Sequence, residues 1–364
     1  MTTTEAAEQL NAPAREPGAL TPQSSVGALL ARAFAGSIVA VTLLFLVNNH
    51  LTFWADWPGI PAFLLHQGWA GAGPPQSPLE GFAVGLGWLQ FLSYPGAVVA
   101  VIGSVWLTRT RGLRADADLL STFAAYIIRA AFWAVFIVGL ADVAISFLRV
   151  EGFLERWVGA ELTTQLGRPS YRGTYIHMPL VAAGFLVAFF VRGLGFTWLT
   201  LLVVAAEFQI VISRFVFSYE QGFMGDLVRF WYAALFLFAS AHALVDEGHV
   251  RVDVLYAHFS ERGKAWTNGL GSVLLGIPLC WVILTQGMWS KGSSLNSPLL
   301  SFEISQSGFG MYTKYLMAGF LVVFALSMTV QFASYFLEAV ADLLGEPGHK
   351  KEEKHEDVGL VLHR

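Results

Sequence analysis

Residues 213–253 read SRFVFSYEQGFMGDLVRFWYAALFLFASAHALVDEGHVRVD. Inside this stretch, Leu227 to Leu244 is an apolar run of the length that crosses a bilayer as a helix, which takes about 20 residues. A helix is demanded there because hydrocarbon offers the backbone no partners, so every N–H and C=O must be satisfied within the segment. Asp226 and Arg229 open the run, and Asp246, Glu247, His249, Arg251 and Asp253 close it. In His249-Val250-Arg251-Val252-Asp253 polar residues alternate with valines, so an extended backbone would carry one charged and one apolar side. That is the pattern of a docking surface more than of a catalytic constellation.

Outward from this run the rest of the chain has the same character. Of 364 residues, 55% are hydrophobic and 13% charged, against about a quarter charged in a soluble domain. Mean hydropathy is +0.56. The class is an all-α integral membrane protein with about eight transmembrane helices and interfacial amphipathic helices. The net charge of −4 leaves no basic field for nucleic acid. The single cysteine, Cys280, lies in an apolar run and reads as a small buried hydrophobe; no disulfide framework is possible.

Spans are expected at about 27–48, 81–107, 119–147, 178–191, 196–217, 227–244, 266–288 and 315–337. The first follows a polar tail, residues 1–26, without a cleavage pattern and reads as a retained helix. Residues 61–69 and 151–175 mix aromatic and polar side chains in the manner of helices lying in the interface, and 252–263 has a similar pattern. Pro278 should kink the seventh span. Gly96, Gly103, Gly271 and Gly276 mark places where helices could approach closely. The chain divides into a disordered tail (1–26), a four-helix extension (27–192), a second four-helix part (193–342) and a charged, solvated tail (343–364).

Eight spans put both ends on one side. With that side cytoplasmic, its loops and tails carry thirteen Lys and Arg, Arg32 and Arg114 among them; the other side carries six, Arg172 among them. The positive-inside rule therefore places both termini in the cytoplasm.

Several features of residues 196–342 resemble one family. They are Arg214-Phe215-x-Phe217, the acid Asp226 at the start of the next helix, Ala239-Ser240-Ala241, and above all HVRVDVLY (249–256) followed by a basic segment and a glycine-containing helix. Together they are similar to the small permease subunit (DctQ-like) of tripartite ATP-independent periplasmic (TRAP) transporters. This chain departs from the family pattern in Met224-Gly225-Asp226 and in its long N-terminal extension. The resemblance implies a non-enzymatic subunit of the bacterial inner membrane. Its implied partners are membrane lipid, a large TRAP permease subunit that carries substrate and sodium, and a periplasmic substrate-binding protein that delivers an organic acid. It implies a partner interface at His249, Arg251, Asp253, Asp226 and Arg229.

Charges within spans are the best pointers to function, because each costs a few kcal/mol or more facing lipid unpaired. They are Arg129, Asp142, Glu207 and Arg214. Arg129 and Glu207 lie about ten and eleven residues into their expected spans, some 15–17 Å deep, so they are expected to face each other as an intramembrane pair. Of the histidines, His50 and His177 sit near span ends and His242 near another; no two are both level and deep, so no haem or other cofactor is expected. A self-sufficient transporter would need interrupted helices in inverted halves, of which Pro278 is the one hint. A membrane redox protein is the remaining alternative.

Overall fold

The computed structural model describes residues 25–69, 79–192, 196–245, 256, 258–305 and 310–348. Among them there are helices, turns and loops but no strand. The first half comprises α1 (Val26–Trp54), the short α2 (Gly59–His66), α3 (Phe82–Leu107), α4 (Leu113–Val150), α5 (Leu154–Leu166) and α6 (Pro169–Phe190). The second comprises α7 (Phe196–Phe217), α8 (Gly222–Val245), α9 (Glu261–Met288), the short α10 (Asn296–Ser301) and α11 (Lys314–Leu344). All but α2, α5 and α10 contain a segment long and apolar enough to cross a membrane, eight candidate spans in all. The expected tails lie largely outside the described residues.

Several helices run beyond the apolar stretches that announce them. α4 has 38 residues, about 57 Å of helix against a hydrocarbon layer of about 30 Å. α6 begins at Pro169, so residues 169–175 belong to a span and the amphipathic α5 stops at Leu166. α9 likewise begins at Glu261, where Ser260 caps it by accepting from the Gly263 N–H at 3.2 Å. Two spans carry a π-turn, Gly173–His177 in α6 and Ser272–Gly276 in α9. Pro179 and Pro278 follow these turns closely, and each places its ring four residues after a position inside the turn. A wider turn moves the carbonyl that the ring would strike, so the disturbance expected at Pro278 appears one turn earlier in the helix.

The long antiparallel helices α4 and α11 form the centre, with α6, α8 and α1 packed around them and α9 on α11. A larger core joins α4, α8, α9 and α11 through Phe132, Val135, Phe230, Phe238, Leu284 and Phe320. A smaller one joins α1, α4 and α11 and is rich in alanine: Ala28, Ala31, Ala35, Ala117, Ala124, Ala333 and Ala341. Short side chains let helix backbones come close, which is how membrane helices gain contact without a hydrophobic driving force. Of the four glycines expected at such contacts, only Gly276 has a close neighbour, the Phe332 ring; nothing lies within 4 Å of a Cβ built on Gly96, Gly103 or Gly271. The closest backbone approach is instead at Gly184 of α6, where a Cβ would come 2.5 Å from the Ala134 nitrogen of α4. α2 is folded back on α3, its Phe63 fully buried under Trp69, Trp88 and Phe91.

Ion pairs close the end of the bundle that holds both described chain ends. Arg32 of α1, only 3% exposed, donates from Nε to Asp116 at 2.6 Å and from Nη1 and Nη2 to the carbonyl and hydroxyl of Thr108. Arg114 of α4 pairs with Asp342 of α11 at 2.6 Å. Glu346, just beyond α11, accepts from the Leu113 and Arg114 N–H groups at 2.9 and 3.4 Å. A carboxylate there meets otherwise unpaired donors and the positive end of the α4 dipole. Arg32 and Arg114 are therefore pinning groups and not free loop charges, and Glu346, expected in the solvated tail, is buried. Glu346→Ala should lower stability by about 1–2 kcal/mol, the size of a lost N-cap, read as a lower melting temperature of the purified protein in detergent.

Candidate functional site

Asp142 lies in the second half of α4, in the apolar stretch Val138 to Ile145, and its side chain has no solvent exposure. Such a carboxylate must be compensated. Arg172 Nη1 donates to Asp142 Oδ1 at 2.9 Å, His177 Nε2 lies 3.0 Å from the same oxygen, and the Tyr312 backbone N–H donates to Oδ2 at 2.8 Å. With the carboxylate ionised, His177 Nε2 carries the hydrogen and Nδ1, 2.9 Å from Tyr315 Oη, can accept that hydroxyl. Arg172 also donates to the Leu166 carbonyl and to Ser146 Oγ, and its guanidinium lies 4.0 Å over the Tyr312 ring. The Tyr312 hydroxyl in turn donates to the Gly167 carbonyl at 3.0 Å and accepts from Arg149.

Local structure makes this convergence possible. Arg172 and His177 are five residues apart, about 140° around a regular α-helix. The π-turn over Gly173–His177 has more residues per turn and brings both onto one side, where they share one oxygen of Asp142. Gly173 sits against the Phe302 ring so closely that any Cβ would collide with it. Phe302 in turn packs edge-on against Trp54 and Tyr315. The cluster thus joins α4 and α6 to the start of α11, with α5 supplying the Leu166 carbonyl.

A histidine held by a carboxylate can serve as a general base. Here Asp142, Arg172 and His177 are each 0% exposed, closed off from the protein surface. The arrangement is a charge-compensated clamp. Among the described residues, no three His, Cys, Asp or Glu side chains come together as a metal site. His50 stacks on Trp54.

The other charges expected to matter have separate fates. Asp226 accepts from Ser305 Oγ at 3.1 Å and the Met311 N–H at 3.0 Å, fastening the segment before α11 to the start of α8. Arg229 lies 3.6 Å from Asp226 with its side chain 76% exposed. These two residues line a cavity of about 380 Å³ with Ser305, Met311, Thr313, Lys314 and Met317. Arg214 pairs with Glu220 at 3.4 Å on the surface. His249, Arg251 and Asp253 lie outside the described residues.

The expected Arg129–Glu207 pair does not form. Arg129 Nε is buried without a hydrogen-bond partner, while Glu207 is exposed and makes no ion pair among the described residues. The reason is lateral: α7 packs on α8, which itself packs on α4, so equal depth does not make the two residues neighbours. Asp142 instead takes Arg172, a residue that looks in sequence like a loop charge. The sequence signals for it were the uncompensated Asp142 and an arginine directly before an apolar run containing Pro179.

The fold defines a polytopic helical membrane protein, with Asp142, Arg172 and His177 sealed inside it. Residues 199–342 match the family model for tripartite ATP-independent periplasmic transporters, DctQ component. That match extends from within α7 to near the end of α11. No curated protein and no solved structure matches the chain. Tyr312 and Tyr315 lie inside the matched region, and Asp142, Arg172 and His177 lie outside it.

Removing Asp142 leaves a buried guanidinium without its counter-ion, which typically costs about 3–5 kcal/mol. Asp142→Ala should therefore lower the melting temperature in detergent far more than a surface change such as Arg214→Ala. Asp142→Ala with Arg172→Leu should lose less than the sum of the two single changes, the mark of direct coupling.

Proposed function

We propose that this protein is the small, non-catalytic membrane subunit of a TRAP-type secondary transporter in the bacterial inner membrane, with both termini in the cytoplasm. It anchors and supports a large permease during sodium-coupled uptake of an organic acid delivered by a periplasmic binding protein. The match of residues 199–342 to the DctQ component carries this reading. The structure supports it in one further respect: Asp142, Arg172 and Asp226 are engaged in holding helices and segments together, which suits a scaffold.

In this reading residues 27–192 are an extension fused to a small-subunit part at 193–342. The Asp142 cluster ties the two, since Asp142, Arg172 and His177 belong to one and Tyr312 and Tyr315 to the other. His249, Arg251 and Asp253 meet the permease beyond the end of α8, and Arg229, exposed at the opposite end of that helix, gives a second contact.

Liposomes holding this chain alone should show no sodium-dependent organic-acid uptake, and uptake should appear once the permease and binding protein are added. Sodium-driven uptake by the chain alone would overturn the reading. Arg251→Ala should reduce recovery of the permease with the tagged chain while the variant still inserts in the membrane; equal recovery would remove Arg251 from the interface.

A further inference from the structure

The least buried candidate span is α7. Only 6% of its stretch from Thr200 to Phe217 is inside the protein, against 44% for the apolar stretches of α4, α8 and α11. It packs through one narrow side, with Ala206 buried and Leu202, Val203 and Ile210 set against the core. Outside that side, Glu207 and Gln209 are both exposed, and neither makes a hydrogen bond or ion pair among the described residues. Glu207 is the twelfth of 22 residues in the helix, about 16 Å from either end and therefore at mid-bilayer.

No described residue of this chain meets these groups. Hydrocarbon is excluded as the occupant, because a carboxylate or amide facing acyl chains at that depth has nothing to bond. Lipid phosphates are excluded as well: they lie about 15 Å away and carry the same sign as a carboxylate. A two-fold pair of this chain through α7 would set Glu207 near its own copy, two like charges at one depth.

We propose that the outward face of α7 is the contact face for a membrane helix of the large permease. That helix presents an Arg, a Lys or an amide donor to Glu207 at mid-bilayer. The assignment of the partner rests on the function proposed above; the need for a donor at that depth rests on α7 alone. Because Glu207 has no partner among the described residues, the contact predicts an unusual separation. Glu207→Ala should leave the melting temperature of the isolated chain unchanged while weakening the complex.

The test uses the full chain co-expressed with the permease in bacterial membranes, with a photo-crosslinking amino acid placed singly at Val204 or Val211, which flank Glu207 on the same face. Val99, more exposed than either and placed on α3, is the control. Adducts with the permease from 204 and 211 but not from 99 are expected, together with an approximately tenfold loss of permease recovery for Glu207→Ala, equivalent to about 1.4 kcal/mol. Permease recovered with the wild-type chain but no adduct from 204 or 211 would overturn the contact face and leave the proposed function standing. Adducts confined to lipid or to a second copy of the chain would likewise overturn it. If the wild-type chain recovers no permease, the proposed function fails and the partner assignment fails with it.

Discussion

The bundle depends on one carboxylate. Asp142 uses one oxygen to hold Arg172 and His177 of α6 and the other to hold the backbone before α11. A charge so deep in a membrane helix is tolerated only when its counter-ion and hydrogen bonds are built in, and here three separate elements supply them. The consequence is geometric. α4, α6 and α11 cannot slide or rotate independently at this end of the bundle, because each shift would strand a buried donor or the carboxylate.

The opposite end is closed by similar means with different groups. Arg32 draws α1 onto the turn after α3, and Arg114 and Glu346 bind the start of α4 to the end of α11. Between the two clamps lies close packing of alanines and aromatics, which fixes distance but distinguishes rotation and register poorly. Polar groups at both ends supply that specificity. The Ser334 hydroxyl, bonded to the Ala117 carbonyl at 2.7 Å, adds a register mark between the same two helices.

A tightly clamped centre leaves two spans at the edge. α3 and α7 are the least buried of the eight, at 11% and 6%, yet they differ in chemistry. α3 turns Leu92, Val99, Ile102 and Trp106 outward, side chains that lipid can cover. α7 turns out Glu207 and Gln209, which lipid cannot satisfy. Exposure alone would not separate a lipid face from a protein face; polarity at depth does.

The sequence by itself determined the class, the eight spans and the resemblance of the second half, because hydropathy over a membrane-length window and a local motif are properties of consecutive residues. It also determined that Asp142 needed a partner. Which partner was decided by tertiary structure alone, since depth can be counted along a helix but rotation and neighbourhood cannot. Arg129 and Glu207 count to one depth in the expected spans and do not meet in the structure, whereas Arg172 reaches Asp142 because a helix extends back to Pro169 and a π-turn aligns it with His177. Glu346 makes the same point: in sequence it belongs to a charged tail, and only the packing of α11 against α4 brings it to the two unpaired N–H groups that it caps.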